Sequence, residues 1–215
     1  MAAQLVIFDC DGVLVDSETI TNRVFARLIT EAGWPVSFED CCAQLKGRSM
    51  KDCVSKIEAN LDYRLSPDWP DQYRDESYAA LRAQIKAMPG AKEVIGLIGK
   101  AKRKMCIASS GPMEKMQITL GQTGLMEHFD GLIYNSEMVD RGKPAPDLFL
   151  HAAKEMGVAP EAAIVIEDSP VGARAARAAG MTCLGYVGGT LRDDAGLAAE
   201  GAHLINDLSA VVDYL

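Results

Sequence analysis

Val6-Ile7-Phe8-Asp9-Cys10-Asp11-Gly12-Val13-Leu14-Val15-Asp16 is the stretch that decides the fold. An unbroken apolar run, Leu5 to Phe8, leads into two aspartates separated by one residue, and a glycine follows. So short an apolar run predicts a strand buried on both faces. The carboxylates then stand at the carboxyl end of that strand, where open parallel sheets bind ligands. On an extended backbone Asp9 and Asp11 point to the same face. Like charges that close repel unless a cation or a shared proton intervenes. Taken alone, the segment also reads as an acidic turn, because Asp and Gly favour turns.

The next residues change character. Ser17 is placed to cap a helix over about 18–32, with Ile20, Val24, Phe25, Leu28 and Ile29 on one face. Gly33 and Pro35 end it. Ser37-Phe38-Glu39-Asp40 opens a short helix as a capping box with Asp in place of Glu. Further helices are predicted over about 50–60 and 71–87, so residues 17–87 form one all-helical insert. Beyond Pro89-Gly90, helices alternate with short apolar strands. Strands are predicted over 104–109, 131–134, 163–167, 181–185 and 203–205, with helices over about 91–100, 113–121, 147–156 and 171–179. This alternation predicts an α/β fold, a Rossmann-like parallel sheet with helices on both faces. Residues 1–16 and 88–215 form that core, and residues 17–87 a helical cap domain inserted into it.

Composition narrows the function. The chain has 215 residues, 48% of them hydrophobic, and a net charge of -8. Nucleic acid is not an expected partner, since its binding relies on Lys and Arg neutralising phosphates. No apolar run reaches the roughly 18 residues of a membrane span. Six cysteines are scattered without a CxxC pair, and no basic, apolar leader opens the chain. These features predict buried thiols, a cytoplasmic protein and no membrane association. A monomer is the default expectation.

The carboxyl ends of the predicted strands supply polar groups in order: Asp9 and Asp11, Ser109-Ser110-Gly111, Arg141-Gly142-Lys143-Pro144 in the loop after the third strand, and Glu167-Asp168-Ser169. Each has an ordinary alternative: a turn and cap for the serines, a surface lysine for Lys143, a helix N-terminus for Glu167-Asp168. In a parallel sheet all of them lie on one edge. Asp9, Asp11, Glu167 and Asp168 form an oxygen-only donor set, which suits Mg²⁺. Lys143 and the Ser109 hydroxyl suit phosphate oxygens. The combination fits phosphoryl transfer, which is mostly positioning and charge stabilisation.

In order and spacing, Asp9-Cys10-Asp11-Gly12-Val13, Ser109, Lys143-Pro144 and Glu167-Asp168 resemble the four motifs of the haloacid dehalogenase-like hydrolases. The helical insert resembles the small cap of the subgroup with phosphoglycolate phosphatases and β-phosphoglucomutases. The resemblance implies that Asp9 is the nucleophile and forms an aspartyl-phosphate. It implies that Asp11 is the general acid and base, and that Ser109 and Lys143 hold the transferring group. It also implies Mg²⁺ on Asp9, Asp168 and the carbonyl of Asp11, with Glu167 direct or through water. Gly12 and Ser110 would line the phosphate. Specificity would come from the cap loop Lys46-Gly47-Arg48-Ser49, where Gly47 and Arg48 are the substrate-binding candidates and Arg74 a weaker one. Arg48 also reads as an ordinary exposed arginine.

Within the resemblance several activities compete. Dehalogenases lack the second aspartate, which is present here as Asp11. The phosphomutase alternative expects a cap histidine where Thr21 stands and a cap-loop arginine where Met50 stands. The run Ser109-Ser110-Gly111-Pro112-Met113-Glu114-Lys115-Met116-Gln117 resembles 6-phosphogluconate phosphatase-like members. The expected activity is therefore a Mg²⁺-dependent phosphatase of a small phosphorylated metabolite, leaning to sugar phosphates, with a phosphomutase as the alternative. A phosphorylated receiver module uses the same residue types, but receivers are shorter, have no helical insert and keep their metal acids near the N-terminus.

Overall fold

The computed structural model describes residues 2–45 and 48–215. The chain divides into two compact units, Met1–Asp16 with Lys86–Leu215, and Ser17–Ile85.

The first unit is an α/β fold built on a six-stranded sheet in the order β3-β2-β1-β4-β5-β6. The strands are β1 (Leu5–Phe8), β2 (Lys104–Ser109), β3 (Ile133–Asn135), β4 (Ala163–Glu167), β5 (Thr182–Tyr186) and β6 (His203–Ile205). Every pairing is parallel. The chain winds outward from β1 to β3, then returns to lay β4 on the other side of β1. The winding reverses there, and such a reversal opens a crevice at the carboxyl ends of the strands. In register, Phe8 pairs with Ile107 on one side and Ile166 on the other, so Asp9 emerges beside Ala108 and Glu167.

β1 is wholly buried, as an apolar central strand must be. Leu5 and Ile7 face a core that includes Leu148 and Phe149 of α7 (Asp147–Glu155) and Ala173, Ala175 and Ala176 of α8 (Pro170–Ala178). Alternation sends Phe8 to the opposite face, where its ring meets Phe129 edge-on with centroids 6.0 Å apart. The alanines of α8 let that helix lie close to the sheet. None of the six cysteines forms a disulfide, and five are buried. No helix among the described residues is long and apolar enough to cross a membrane.

The helix before β2, α5 (Ala91–Lys100), falls on its expected residues, but two local expectations give way, one after β2 and one after β5. The helix after β2, α6 (Met113–Thr123), runs through Gly121 and ends at Gly124, which takes the left-handed conformation at φ +70°. Gly121 has helical neighbours on both sides, and only the later glycine meets a chain reversal. The stretches flanking the insert form single bridges, Asp11 with Val15 and Val15 with Ala87. A short helix, α9 (Asp194–Ala199), was not expected. It is too short to show an apolar period, and its start is marked by Asp193, whose carboxylate accepts from the Gly196 amide at 2.8 Å.

In the second unit the described residues form α1 (Ser17–Glu31), α2 (Phe38–Leu45), α3 (Met50–Glu58) and α4 (Trp69–Gln84). They enclose a separate core of Val24, Phe25, Leu28, Ile29, Cys41, Leu45, Cys53, Ile57 and Trp69. The capping box forms: Ser37 Oγ accepts from the Asp40 amide at 3.0 Å, and Asp40 Oδ2 from the Ser37 amide at 3.4 Å. Helix α4 stops three residues short of the expected end, because Ala87 pairs with Val15 instead of continuing the helix.

Candidate active site

The sheet ladder carries β1 only to Phe8. The Asp9 amide still donates to the Ile166 carbonyl at 2.9 Å, and then the chain turns, with the Gly12 amide donating to the Val15 carbonyl at 2.9 Å. Gly12 adopts φ +80°, a conformation that glycine takes without strain. A β-carbon there would also lie 2.2 Å from Asp168 Oδ2, so the bare backbone lets the Asp168 carboxylate come close.

Two of the other three strand-end segments converge on Asp9. Lys143 is not a surface lysine: its side chain is only 4% exposed. Its ammonium donates to Asp9 Oδ1 at 2.7 Å and to Glu167 Oε1 at 2.6 Å, and it lies 4.7 Å from the centre of the Phe149 ring. A buried cation so placed is matched by charge and by the face of an aromatic ring. Burial alone would lower the Lys143 pKa, but the carboxylates of Asp9 and Glu167 overcome it and hold it above the usual lysine range. Burial pushes the Asp9 carboxyl up to about 7, against the pull of Lys143 and with Glu167 and Asp11 adding to the rise.

Glu167 is anchored on its other oxygen. Its Oε2 accepts from the Ser169 amide at 3.1 Å and the Ser169 hydroxyl at 2.9 Å. The same Ser169 Oγ caps α8 by accepting from the Gly172 amide at 3.1 Å. The strand β4, the helix start and the lysine are thus tied through one carboxylate.

Asp9, Glu167 and Asp168 each place a carboxylate oxygen within 4.8 Å of the others. The set is all oxygen, with no sulfur or imidazole, and it carries more negative charge than Lys143 offsets. Those donors fit a hard divalent cation such as Mg²⁺. The Asp11 carboxylate stands outside this set and is held by a second lysine, Lys115 of α6, at 2.8 Å. Two aspartates one residue apart therefore have separate cationic partners.

Ser109 ends β2 buried, and its hydroxyl accepts from the Gly111 amide at 3.2 Å. A β-carbon on Gly111 would lie 3.4 Å from Asp11 Oδ2 and 3.5 Å from Ser109 Oγ, which sets those two groups around the same glycine. Ser110 is exposed, and its carbonyl accepts from the Ser136 hydroxyl at 3.1 Å.

The remaining candidates belong to the second unit. Gly47 and Lys46 lie outside the described residues. Arg48 is exposed and its Nε donates to the Gln44 carbonyl at 2.8 Å. Arg74 is paired with Asp71 at 2.6 Å and Asp75 at 2.9 Å. Thr21, where the phosphomutase alternative expects histidine, turns its hydroxyl onto the Ser17 and Glu18 carbonyls of its own helix at 3.1 and 3.3 Å.

Two residues of the site escaped the sequence reading. Lys115 enters only as part of the run 109–117, with no role of its own, although it lies in the first turn of α6, which starts at the sheet edge. Gly172 was one of several small residues in an alanine-rich helix, yet a β-carbon there would meet Glu167 Oε1 at 1.8 Å.

The profile of the haloacid dehalogenase-like hydrolases matches residues 3–180. The chain is 31% identical over 179 residues to 6-phosphogluconate phosphatase of Escherichia coli, covering 83% of this chain and 80% of that protein. It is 28% identical over 200 residues to the phosphorylated carbohydrates phosphatase of Thermotoga maritima, covering 93% and 92% of the two chains. A crystal structure of a haloacid dehalogenase family hydrolase from Deinococcus radiodurans, with bound phosphate and sodium, superposes with a TM-score of 0.85. That protein is 29% identical, with 100% of this chain and 98% of the other covered.

Proposed function

The chain belongs to the haloacid dehalogenase-like hydrolase family and is a phosphoric monoester hydrolase. From that premise we propose that it is a Mg²⁺-dependent phosphatase of small phosphorylated carbohydrates, working through an aspartyl-phosphate on Asp9. The observation that carries this reading is the convergence of Asp9, Lys143, Glu167 and Asp168 at one sheet edge, with the Asp11 carboxylate held apart from them. The carbohydrate class rests on the two phosphatases to which the chain is similar.

Each residue then has a job. Asp9 attacks phosphorus through a carboxylate oxygen as the bond to the leaving oxygen breaks, and Asp11 gives that oxygen its proton. Water next attacks the aspartyl-phosphate, Asp11 takes the water's proton, and inorganic phosphate leaves. Ser109 and Lys143 hold oxygens of the transferring group, and the fixed ammonium offsets its charge without reorganisation. Asp9, Asp168 and the Asp11 carbonyl would hold Mg²⁺, with Glu167 direct or through water. The ion supplies further positive charge for the phosphoryl group. Thr21, with its hydroxyl turned onto its own helix, supports hydrolysis over a mutase reaction.

The test is phosphate release from p-nitrophenyl phosphate and a panel of sugar phosphates, with Mg²⁺ and with EDTA. Turnover that needs metal and disappears in Asp9→Asn is expected. Metal-independent turnover, or conversion of one sugar phosphate into another without release of phosphate, overturns the proposal.

A further inference from the structure

The ion pair between Lys115 and Asp11 is not needed to build the sheet, the metal donor set or the Lys143 cluster. Its place is specific. Lys115 Nζ meets Asp11 Oδ1 at 2.8 Å, and the two side chains are only 17% and 18% exposed. The other oxygen, Oδ2, lies on the Gly111 side, as does Ser109 Oγ. A carboxyl on a short side chain with one oxygen held by an ammonium has little freedom left at the other.

We infer that Lys115 is a positioning residue for the proton donor: it holds Asp11 Oδ1 so that Oδ2 faces the oxygen of the departing group. The inference rests on the phosphatase reading above. In the first step Oδ2 gives its proton to the bridging oxygen as the bond from that oxygen to phosphorus breaks. The oxygen leaves as an alcohol, and Asp11 is left as a carboxylate against the Lys115 ammonium. A near-attack geometry of this kind is sensitive to displacements of about 1 Å, which cost on the order of 10²-fold. Two features favour α6 as the source of this contact. The helix begins directly after the strand that delivers Ser109, and Lys115 is its third residue. The lysine is therefore fixed by the same backbone that fixes the phosphate-facing hydroxyl.

The prediction concerns leaving groups. Phenol titrates about like tyrosine, near 10, and needs a proton to leave, whereas p-nitrophenolate leaves without one. The value of kcat/KM reports steps only up to release of the alcohol, so it isolates the step in which Asp11 is the acid. Measure kcat/KM for phenyl phosphate and p-nitrophenyl phosphate in the parent, Lys115→Met and Lys115→Arg, all with saturating Mg²⁺. The ratio within each protein cancels any loss of folded enzyme. In Lys115→Met, phenyl phosphate should lose roughly 10- to 100-fold more than p-nitrophenyl phosphate, within the range typical of acid–base help. Lys115→Arg should recover most of the ratio. An unchanged ratio in Lys115→Met, or a ratio in Lys115→Arg no better than in Met, overturns the inference and leaves the phosphatase reading standing. A parent protein that hydrolyses neither ester overturns that reading and this inference with it.

Discussion

The Lys143 ammonium stands 2.7 Å from the Asp9 carboxylate across 134 residues of sequence, and 2.6 Å from Glu167. All three side chains are close to fully buried. Removing the cation leaves two buried carboxylates facing each other. Lys143→Met should cost about 3–5 kcal/mol of stability, the usual result of stripping one partner from a buried pair. On the Mg²⁺ reading proposed above, the ion would neutralise the same carboxylates and should raise the melting temperature of the variant more than that of the parent. Calorimetry with and without Mg²⁺ checks this, and an equal metal response in both proteins counts against a shared charge cluster. Turnover should be lost in either case.

Asp168 tests the proposed metal site separately from the lysine. Asp168→Asn removes a full charge from the oxygen set but keeps the shape that fills the space above Gly12. The Mg²⁺ concentration for half-maximal turnover should rise by at least tenfold, with folding little changed. Chelation should silence the parent and re-addition of Mg²⁺ should restore it. A Mg²⁺ titration of phosphate release gives the answer, and an unmoved midpoint would remove Asp168 from the site.

Gly172→Ala sets two effects against each other. Alanine is better than glycine within a helix by up to about 1 kcal/mol. Here the new β-carbon would lie 1.8 Å from Glu167 Oε1, on a side chain 1% exposed and tied to Ser169 and Lys143. Overpacking of this kind costs typically 1–3 kcal/mol. The clash should win: a lower melting temperature and reduced turnover, the second because Glu167 carries Lys143 with it. A variant that melts higher and stays active would mean that the Glu167 carboxylate moves aside freely.

How much of this was legible beforehand depends on the kind of residue. The strands were readable because each is a short apolar run bounded by turn residues, and β2, β4 and β6 fall on their expected residues. Asp9, Lys143, Glu167 and Asp168 were readable because a parallel sheet brings its strand ends to one edge whatever the intervening sequence. The separate lysine partners of Asp9 and Asp11 were not. The period-two argument assumed an extended backbone, and the strand stops at Phe8. Lys115 and Gly172 were hidden for another reason. Helix residues announce which face is apolar, but not which exposed or small member meets a functional group on the neighbouring strand.

The second unit offers an optical test of its own. Both tryptophans, Trp34 and Trp69, fall within Ser17–Ile85, so intrinsic tryptophan fluorescence reports that unit. Trp69 is buried in the core, and Phe25 joins it to Tyr73, with ring centroids at 5.6 Å to the first and 4.6 Å to the second. Phe25→Ala should cost about 3–5 kcal/mol in this core through lost burial and the cavity left behind. The fluorescence-detected melting transition should fall by several degrees. The far-UV circular dichroism signal draws on both units. If the two fold as separate cooperative blocks, that signal should split in the variant into an early step matching the fluorescence and a later one from the sheet-bearing unit. A single coincident transition at lower temperature would instead make the whole chain one cooperative unit.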